Sequence, residues 1–491
     1  MSSAMSGNIR TRKGSKHDKT GCLTCRYRRK KCADNRFPIC GTCSRLNLEC
    51  IRQPAKDVVP EVWATRKGAS NDATPSSPSS PATSLSLPGI GGGCVNSPQK
   101  RQAMRYYISV LATHLTVSQE FNSFLTAFLP MAMESVAFFN SLLALTLGHM
   151  SLSDETYKVA ALETRSTAIR NLAAALNNPS DRFACHETNA AACLAFLIYE
   201  AGVGDCRAWY THLKGTHHVI VSASEYSGGK QVGGPEALKN SIEGQWVLRN
   251  FAYHDIIGSI TLRKKPLLNS DYLVGITDVV DSCLGVAAGL LHIIARISCL
   301  EQETESLGPL LDDQANARQQ YFRSTYTQLE QELLSWRCHT EVSLGLEALA
   351  FAYRNAALIM LYRLMRRRLR TDHLLILEND PGIDAITVIE ARIQAQVVDT
   401  LGYISQIPVG TPPESALLFP VFIVGGEALQ QDEIDPIRTR LQLMAKKRQF
   451  RNLSHAREVL EDLWDLRKTC HGANADWTQI LDASGEGLLL T

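Results

Sequence analysis

Residues 20–52 read TGCLTCRYRRKKCADNRFPICGTCSRLNLECIR and hold six of the chain's 14 cysteines. These cysteines form two triplets with the same spacing, Cys-x2-Cys-x6-Cys, and the loop that joins the triplets contains Pro38. A duplicated spacing indicates that the six thiols act together, so it decides the fold of this part of the chain. The six positions are Cys22, Cys25, Cys32, Cys40, Cys43 and Cys50.

The chemistry of these thiols indicates zinc. The start of the chain, MSSAMSG, lacks the apolar core of a signal peptide, and thiols in a chain that is not exported favour metal ligation over disulfides. Two tetrahedral zinc ions need eight ligand positions, so two of the six thiolates must bridge both ions. Symmetry nominates Cys22 and Cys40, the first of each triplet. We therefore predict two Zn²⁺ ions per chain, while one four-cysteine site with two spare thiols, or three disulfides, are the alternatives.

The charge of the chain is divided unevenly. The whole sequence has 51 Lys and Arg against 49 Asp and Glu. Residues 1–67 hold 16 of the basic residues and 5 of the acidic ones, which leaves the remainder acidic. A basic head on an acidic body predicts a polyanionic partner for the head alone.

Residues 68–100 form a segment of another composition. Ser, Pro and Gly make up 18 of these 33 residues, and no aromatic residue occurs among them. Such a segment cannot bury enough apolar surface to offset its ordering entropy, so we predict a flexible linker. The predicted division is a basic arm at 1–19, a zinc module at 20–52, a linker at 53–100 and a body at 101–491.

The body has the pattern of helices. Its 391 residues leave proline-free windows at 131–178, 310–380 and 437–491. The run LLALTL at 142–147 is apolar all round and predicts a helix inside a bundle. Two amphipathic stripes predict further helices, and the second has Arg363, Arg366, Arg367 and Arg370 on its opposite face. The stripes comprise Ala456, Val459, Leu460, Leu463 and Trp464, and Leu358, Leu361, Tyr362, Met365 and Leu369.

Other parts of the body carry weaker signals. The runs at 219–221 and 419–424 are strand candidates too short for periodicity to classify. No run of about 18 apolar residues occurs without interruption, which argues against a membrane span. The eight cysteines outside the cluster lack ligand spacing and are expected to be buried thiols. We expect the following polar residues to be satisfied structural side chains: His212, His217, His218, His254 and Asp255.

The cysteine segment resembles the fungal Zn(2)-Cys(6) binuclear-cluster transcription factors, and the match is close over residues 20–52. In that family the first and fourth cysteines bridge the two ions, as symmetry suggests for Cys22 and Cys40. The resemblance implies that the segment between the second and third cysteines is a short helix that enters the major groove of DNA. The basic residues of that segment are Arg26, Arg28, Arg29, Lys30 and Lys31.

Arginine or lysine in a major groove can donate to guanine O6 and N7. By position, Arg28 and Arg29 match the base-contacting pair of the family, which implies a half-site of the CGG type. The alternative is that the basic run is a solvated charge run or a nuclear import signal. Basic residues of the N-terminal arm are expected to contact phosphates: Arg10, Arg12, Lys13, Lys16 and Lys19.

The body resembles the helical regulatory domain called fungal-specific transcription factor domain type 2. The matching strings are WYTHLKG from Trp209, YHDII from Tyr253, FPVFIVGGEA from Phe419 and VLEDLWDLR from Val459. The expected fold is thus a small zinc-stabilised module and a mainly all-α helical regulatory domain, joined by a disordered linker.

We therefore expect a non-enzymatic regulator of RNA polymerase II genes, located in the nucleus and, by resemblance, controlling a metabolic or secondary-metabolite gene cluster. The expected partners are double-stranded DNA, the transcription machinery or co-regulators, a small-molecule effector and a second copy of the chain bound through the helical body, with no membrane. The alternative is an enzyme or scaffold that carries an incidental zinc module.

Overall fold

The computed structural model describes residue 40 and residues 97–178, 186–227, 230–305, 312–371, 384–469, 474–485 and 487–491. The chain divides into two compact units, Met1–Ser86 and Leu87–Thr491. Within the described residues, the second unit is helical apart from one short hairpin, in agreement with the predicted all-α body.

The first half of the second unit contains nine α-helices within the described residues. Two π-helical turns, Tyr107–Leu111 and Phe124–Phe128, adjoin them. The helices are α1 (Pro98–Tyr106), α2 (Ala112–His114), α3 (Leu129–Glu134), α4 (Val136–Ser153), α5 (Lys158–Asn177), α6 (His186–Gly202), α7 (Trp209–Ser222), α8 (Pro235–Leu238) and α9 (Ile242–Leu262).

The second half adds eight α-helices among the described residues. A 3-10 turn, Pro412–Ala416, lies between α13 and α14, and another, Val286–Gly289, directly precedes α10. The helices are α10 (Leu290–Glu305), α11 (Asp312–Ser335), α12 (Leu344–Thr371), α13 (Ala385–Ser405), α14 (Leu418–Glu427), α15 (Gln431–Arg448), α16 (Arg451–Arg467) and α17 (Trp477–Ser484).

The hairpin pairs β1 (Ser224–Ser227) with β2 (Lys230–Gly233) in antiparallel register, so that Ser224 faces Gly233 and Ser227 faces Lys230. It follows α7 directly. The strand candidate at 219–221 is therefore wrong, because those residues form the last turns of α7. The candidate at 419–424 is helical as well and lies inside α14.

The core is built around helices that are buried on all sides. In α4 every residue from 137 to 150 is buried, which confirms the helix predicted from the run at 142–147. All ten residues of α14 are buried too. Helices α4, α5 and α6 pack together, while α12 packs against α13 and α14. The predicted stripes on α12 and α16 are confirmed as core faces.

The boundary between linker and body lies earlier than predicted. Helix α1 begins at Pro98, within the segment expected to be a flexible linker. The Ser97 hydroxyl accepts a hydrogen bond from the Lys100 backbone N–H at 3.1 Å, and Pro98 occupies a first-turn position that suits its fixed φ. The composition of residues 97–100 assigned them to the linker. The order of Ser97 and Pro98, however, is typical of the N-terminus of a helix.

Arg363 is buried, although the sequence pattern predicted that it lies on the polar face of α12. Its side chain is 4% exposed and forms ion pairs with Glu427 on α14 and with Asp476, the N-cap of α17. Arg366 also binds Glu427, at 2.8 and 2.9 Å. The Arg363 guanidinium lies 5.0 Å from the centre of the Trp477 ring. These contacts join α12, α14 and α17 through a shared charged cluster.

Helix α12 also bears on the prediction about membranes. Among the described residues, its segment Leu344–Arg370 is the one helix long and apolar enough to cross a bilayer. In the structure, 72% of its most apolar window is buried inside the unit. The apolar side chains therefore contact the protein core.

Candidate functional site

The predicted zinc ligands lie almost entirely outside the described residues. Cys40 is described and is fully buried, with 0% exposure. The other five predicted ligands, Cys22, Cys25, Cys32, Cys43 and Cys50, lie outside the described residues, as do the predicted DNA-contacting residues Arg26, Arg28, Arg29, Lys30 and Lys31. The donor set itself fits zinc, since six cysteine sulfurs in two equal triplets offer the soft thiolates that zinc prefers.

The body offers no second metal site among its described residues, where no group of three or more His, Cys, Asp or Glu side chains is arranged to hold an ion. His217 and His218 are neighbours on α7, one half-buried and one exposed. Cys193, Cys206 and Cys283 are buried, as expected, whereas Cys299 and Cys338 are half-buried. Cys94, Cys185 and Cys470 lie outside the described residues.

Asp255 and His212 have clear structural surroundings. The Asp255 carboxylate accepts hydrogen bonds from the backbone N–H groups of Leu267 and Leu268, at 2.9 and 3.3 Å. Burial raises the pKa of Asp255 to about 7, against the effect of these two bonds. The His212 ring stacks on Phe196, with centroids 5.3 Å apart. The structural role expected for both residues stays a prediction that these contacts are consistent with.

His254 differs from that expectation. Its Nδ1 lies 2.8 Å from the Thr491 hydroxyl, but its buried Nε2 has no hydrogen-bond partner in the protein. Burial lowers the pKa of His254 to about 3, so the ring is neutral near pH 7. The prediction that this histidine is fully satisfied is therefore wrong for one ring nitrogen.

This nitrogen belongs to a residue that lines an internal cavity between α2, α6, α9 and α16. The cavity has a volume of about 60 Å³. Much of the wall is apolar, from Leu197, Ile198, Leu418, Phe450, Leu453 and Leu489. We call this space the internal cavity.

Five further residues of the internal cavity also have a buried polar atom without a hydrogen-bond partner in the protein. They are His114 through Nδ1, Asn250 through Oδ1, Tyr253 and Ser415 through their hydroxyls, and Arg448 through Nε. Asn250 and His254 are four residues apart on α9 and so share one helix face. Burial, together with the positive charge of Arg448, lowers the pKa of His114 to about 4.

Arg448 lies next to the cavity and shares its carboxylate partner, because Glu414 also pairs with Arg440 at 3.1 Å. The guanidinium of Arg448 donates to the backbone oxygens of His114 and Thr411 at 2.6 and 3.0 Å. Its Nε lies 3.6 Å from the buried carboxylate of Glu414. This cavity could not be predicted from the sequence, because Asn250, Ser415 and Arg448 belong to no sequence motif. The one signal was His254, which was assigned to the core.

Comparison with known proteins completes the description of the chain. The family model described as "Fungal specific transcription factor domain" matches residues 102–491. The model described as "Fungal Zn(2)-Cys(6) binuclear cluster domain" matches residues 20–57.

A curated relative, transcriptional activator protein UGA3 of Saccharomyces cerevisiae, is 25% identical over 293 residues, which cover 49% of this chain and 54% of that protein. The chain thus spans about half the length of the relative it matches. No solved structure matches. Since the first family model covers more than half of the sequence, the chain belongs to the fungal-specific transcription factor family, and it carries a binuclear cluster domain, which binds two zinc ions.

Proposed function

We propose that the chain is a zinc-dependent regulator of transcription that binds specific DNA sequences in the nucleus and acts on RNA polymerase II genes. The observation that supports this proposal most strongly is the duplicated Cys-x2-Cys-x6-Cys spacing within the matched cluster domain at 20–57. The name of the yeast relative describes a transcriptional activator. We carry over to this chain the regulation of transcription, without its direction.

The proposed zinc ligands are the six cysteines from Cys22 to Cys50, with Cys22 and Cys40 as the bridging pair. Thiolates that bridge two cations fix both halves of the module around one metal centre, because each half contributes ligands to it. The proposed division of the chain is an arm at 1–19, the module at 20–52, a linker that starts at 53, and the regulatory body from the helix that begins at Pro98.

The proposed DNA contacts come from the segment between the second and third cysteines. Arg28 and Arg29 would read guanines of a CGG-type half-site, because guanidinium groups can donate two hydrogen bonds to guanine O6 and N7. Arg26, Lys30 and Lys31 would support them by neutralising phosphates. Phosphate contacts add affinity that depends on salt and carries no sequence information.

The test uses the full chain loaded with zinc. Titration against a fluorescent duplex with a CGG site should give tighter binding than titration against a duplex of the same composition with that site scrambled. A zinc chelator should abolish the difference, and added zinc should restore it.

Zinc-independent binding that is equal on both duplexes would contradict the proposal. That result would favour the alternative, a scaffold or enzyme that carries an incidental zinc module.

We also propose that a dimer forms through the body. Residues 53–100 contain seven prolines and no apolar heptad repeat that survives three heptads, so a coiled coil next to the module is not expected. On α5, Val159, Leu162 and Ile169 are 66%, 53% and 41% exposed. Exposed apolar side chains on one helix support a contact between two copies. Sedimentation of the full chain, compared with a fragment of residues 1–100, tests this arrangement.

A further inference from the structure

Helix α5 carries two separate stripes of mostly apolar residues. One stripe faces the body through the buried side chains of Ala161, Ala168 and Leu172. The other lies on the outer side of the helix, and its first five residues are exposed while the sixth is half-buried. We call this second stripe the outer seam. It consists of Val159, Leu162, Ser166, Ile169, Ala173 and Leu176.

The residues of the outer seam follow one another at alternating intervals of three and four. This is the spacing of the a and d positions of a heptad repeat, which is typical of helices that pair side by side. Val159 and Leu162 are 66% and 53% exposed, so the rest of the chain leaves them uncovered. Single apolar residues are normal on a surface, but a row along one helix marks an interaction surface.

We propose that two copies of the chain pair through their outer seams, with the two α5 helices antiparallel and related by a twofold axis that passes between Thr167 and Ala168. This inference rests on the proposed dimer of the body. It adds to that dimer the surface, the direction of the two helices and their register.

The sizes of the side chains favour this register. Leu162 lies opposite the partner's Ala173, and Ile169 lies opposite the partner's Ser166, so each large side chain meets a small one. Val159 and Leu176 of the two copies meet at the ends of the seam. Because the twofold axis repeats every pair, one surface is complementary to itself. In a parallel pair, Ser166 and Ala173 would each face their own copies and leave gaps.

The charges beside the seam favour the same direction. Glu163 and Arg170 occupy equivalent heptad positions on one border of the seam, and both are exposed. Neither forms an ion pair with a described residue, and Arg170 donates to the Thr167 hydroxyl at 3.1 Å. Antiparallel pairing brings Glu163 beside the partner's Arg170, and symmetry does so twice. Parallel pairing would instead place Arg170 beside the partner's Arg165.

The test measures dimerisation of the full-length, zinc-loaded chain without DNA by sedimentation equilibrium. Glu163→Arg leaves only positive charges at this border, and Arg170→Glu leaves only negative ones. Each change alone should lower the association constant about tenfold, because symmetry repeats the altered pair twice.

Two combinations should restore the dimer. A 1:1 mixture of the two single variants again places opposite charges beside each other in the mixed dimer, and so does the double variant Glu163→Arg/Arg170→Glu in its own dimer. Both should associate to within about threefold of the unchanged chain. The two residues are about two helical turns apart, so these changes disturb no ion pair between them in the monomer.

An apolar position gives an independent measurement. Leu162→Glu should abolish the dimer, because it places a charge inside the seam. Val398→Glu is the matched control, since Val398 is 60% exposed on α13 and lies outside the seam. It should leave the association constant unchanged. Far-ultraviolet dichroism should be the same for all variants, and if Leu162→Glu fails to fold, the charge variants decide.

The antiparallel interface is overturned if Arg170→Glu tightens the dimer, as parallel pairing predicts, or if the mixture stays as weak as the single variants. It is also overturned if a folded Leu162→Glu variant still dimerises, and the proposed dimer then forms through another surface. A chain that stays monomeric overturns both the dimer and its interface. Binding to a duplex with one CGG site is measured separately and should be unchanged in every variant, so these outcomes leave the proposed DNA binding untouched.

Discussion

Asp476 combines two roles in one side chain. It caps α17 by accepting the Thr478 backbone N–H at 3.0 Å, and it receives Arg363 Nη2 at 2.9 and 2.8 Å. Burial raises the pKa of Asp476, but the Arg363 charge and these hydrogen bonds outweigh it and hold the pKa well below its usual range. The ionised form therefore stabilises the fold.

We expect Asp476→Asn to lower the free energy of unfolding by about 1–3 kcal/mol near neutral pH, since Arg363 keeps Glu427 as a partner. The folded-state pKa lies below the unfolded value of about 3.9, so the contribution is present above that pH and is lost as the pH falls through the folded-state pKa. Urea titrations at several pH values measure the difference between the two proteins.

Asp482→Asn is the control for this change, because Asp482 lies on the same helix and its pair with Arg263 is exposed, with N and O atoms 3.4 Å apart. It should change the unfolding free energy by less than about 0.5 kcal/mol. If the two substitutions cost the same, the buried cluster does not have the stabilising role assigned to it.

At the same scale, substitutions can distinguish residues of the zinc module that contact bases from residues of the N-terminal arm that contact phosphates. We expect Arg28→Ala or Arg29→Ala to cost about 1–3 kcal/mol on a CGG duplex and to relax discrimination, because base contacts are lost. Arg12→Ala should weaken binding to matched and scrambled duplexes alike. Binding titrations on both duplexes measure these effects. Equal losses on the two duplexes for Arg28 and Arg29 would reassign them to phosphates.

At the scale of elements, α14 and α17 approach closely at a glycine. A Cβ at Gly426 would lie 2.5 Å from Trp477 Cδ1, and that indole is wedged beside Phe422 and Arg363. We expect Gly426→Ala to destabilise the body by about 1–3 kcal/mol, because a rigid ring must move. Thermal or urea unfolding gives the value.

Gly402 offers the opposite case for comparison. It lies on an exposed turn of α13, and nothing is within 4 Å of the position of its Cβ. Gly402→Ala should raise the unfolding free energy by about 0.5–1 kcal/mol, because alanine loses less backbone entropy in a helix. Should both substitutions stabilise the protein, the contact of α14 with Trp477 is looser than described.

Some of these elements could be predicted from the sequence and others could not, because periodicity is visible only in a helix with one buried face and one polar face. The stripe from Ala456 to Trp464 reports a helix with one buried face, so its periodicity was readable. The run at 419–424 is buried all round as part of α14, and a helix without a polar face leaves no period to read. Arg363 was assigned to a polar face because spacing shows direction but not the acidic partner 113 residues away.

The functional residues divide in the same way. Cysteine spacing is local, so the zinc module could be predicted from residues 20–52 alone. The internal cavity is lined by α2, α6, α9 and α16, which are far apart in the sequence, and its distinguishing property is that several buried polar atoms of its lining residues have no partner in the protein. Such a property depends on tertiary packing, and no short segment of sequence contains it.

At the scale of the whole molecule, we expect the zinc module to need metal for its folding and the helical body to fold without it. Structural zinc can contribute roughly 10–16 kcal/mol to the folding of a small module, whereas the body has its own extensive apolar core. We expect two zinc ions per chain by elemental analysis. A chelator should release both and abolish specific DNA binding, while the far-ultraviolet dichroism of the helical body persists.

Two other results would contradict this expectation. One zinc ion per chain would favour the four-cysteine site with two spare thiols. Loss of most of the helical signal on chelation would mean that the body depends on the module for its fold.

The long apolar helix α12 has a consequence for synthesis on the ribosome. It packs against α10 and α11, which precede it, and against α13 and α14, which follow it. Asp476, at the start of α17, is translated 113 residues after its partner Arg363. At about 5–20 residues per second, the nascent helix waits roughly 5–20 s for its last partner. During that interval a segment with the length and hydropathy of a membrane span lacks the part of its cover that α13, α14 and α17 supply. Newly made chains should therefore depend on cytosolic chaperones to avoid capture by the membrane-targeting machinery.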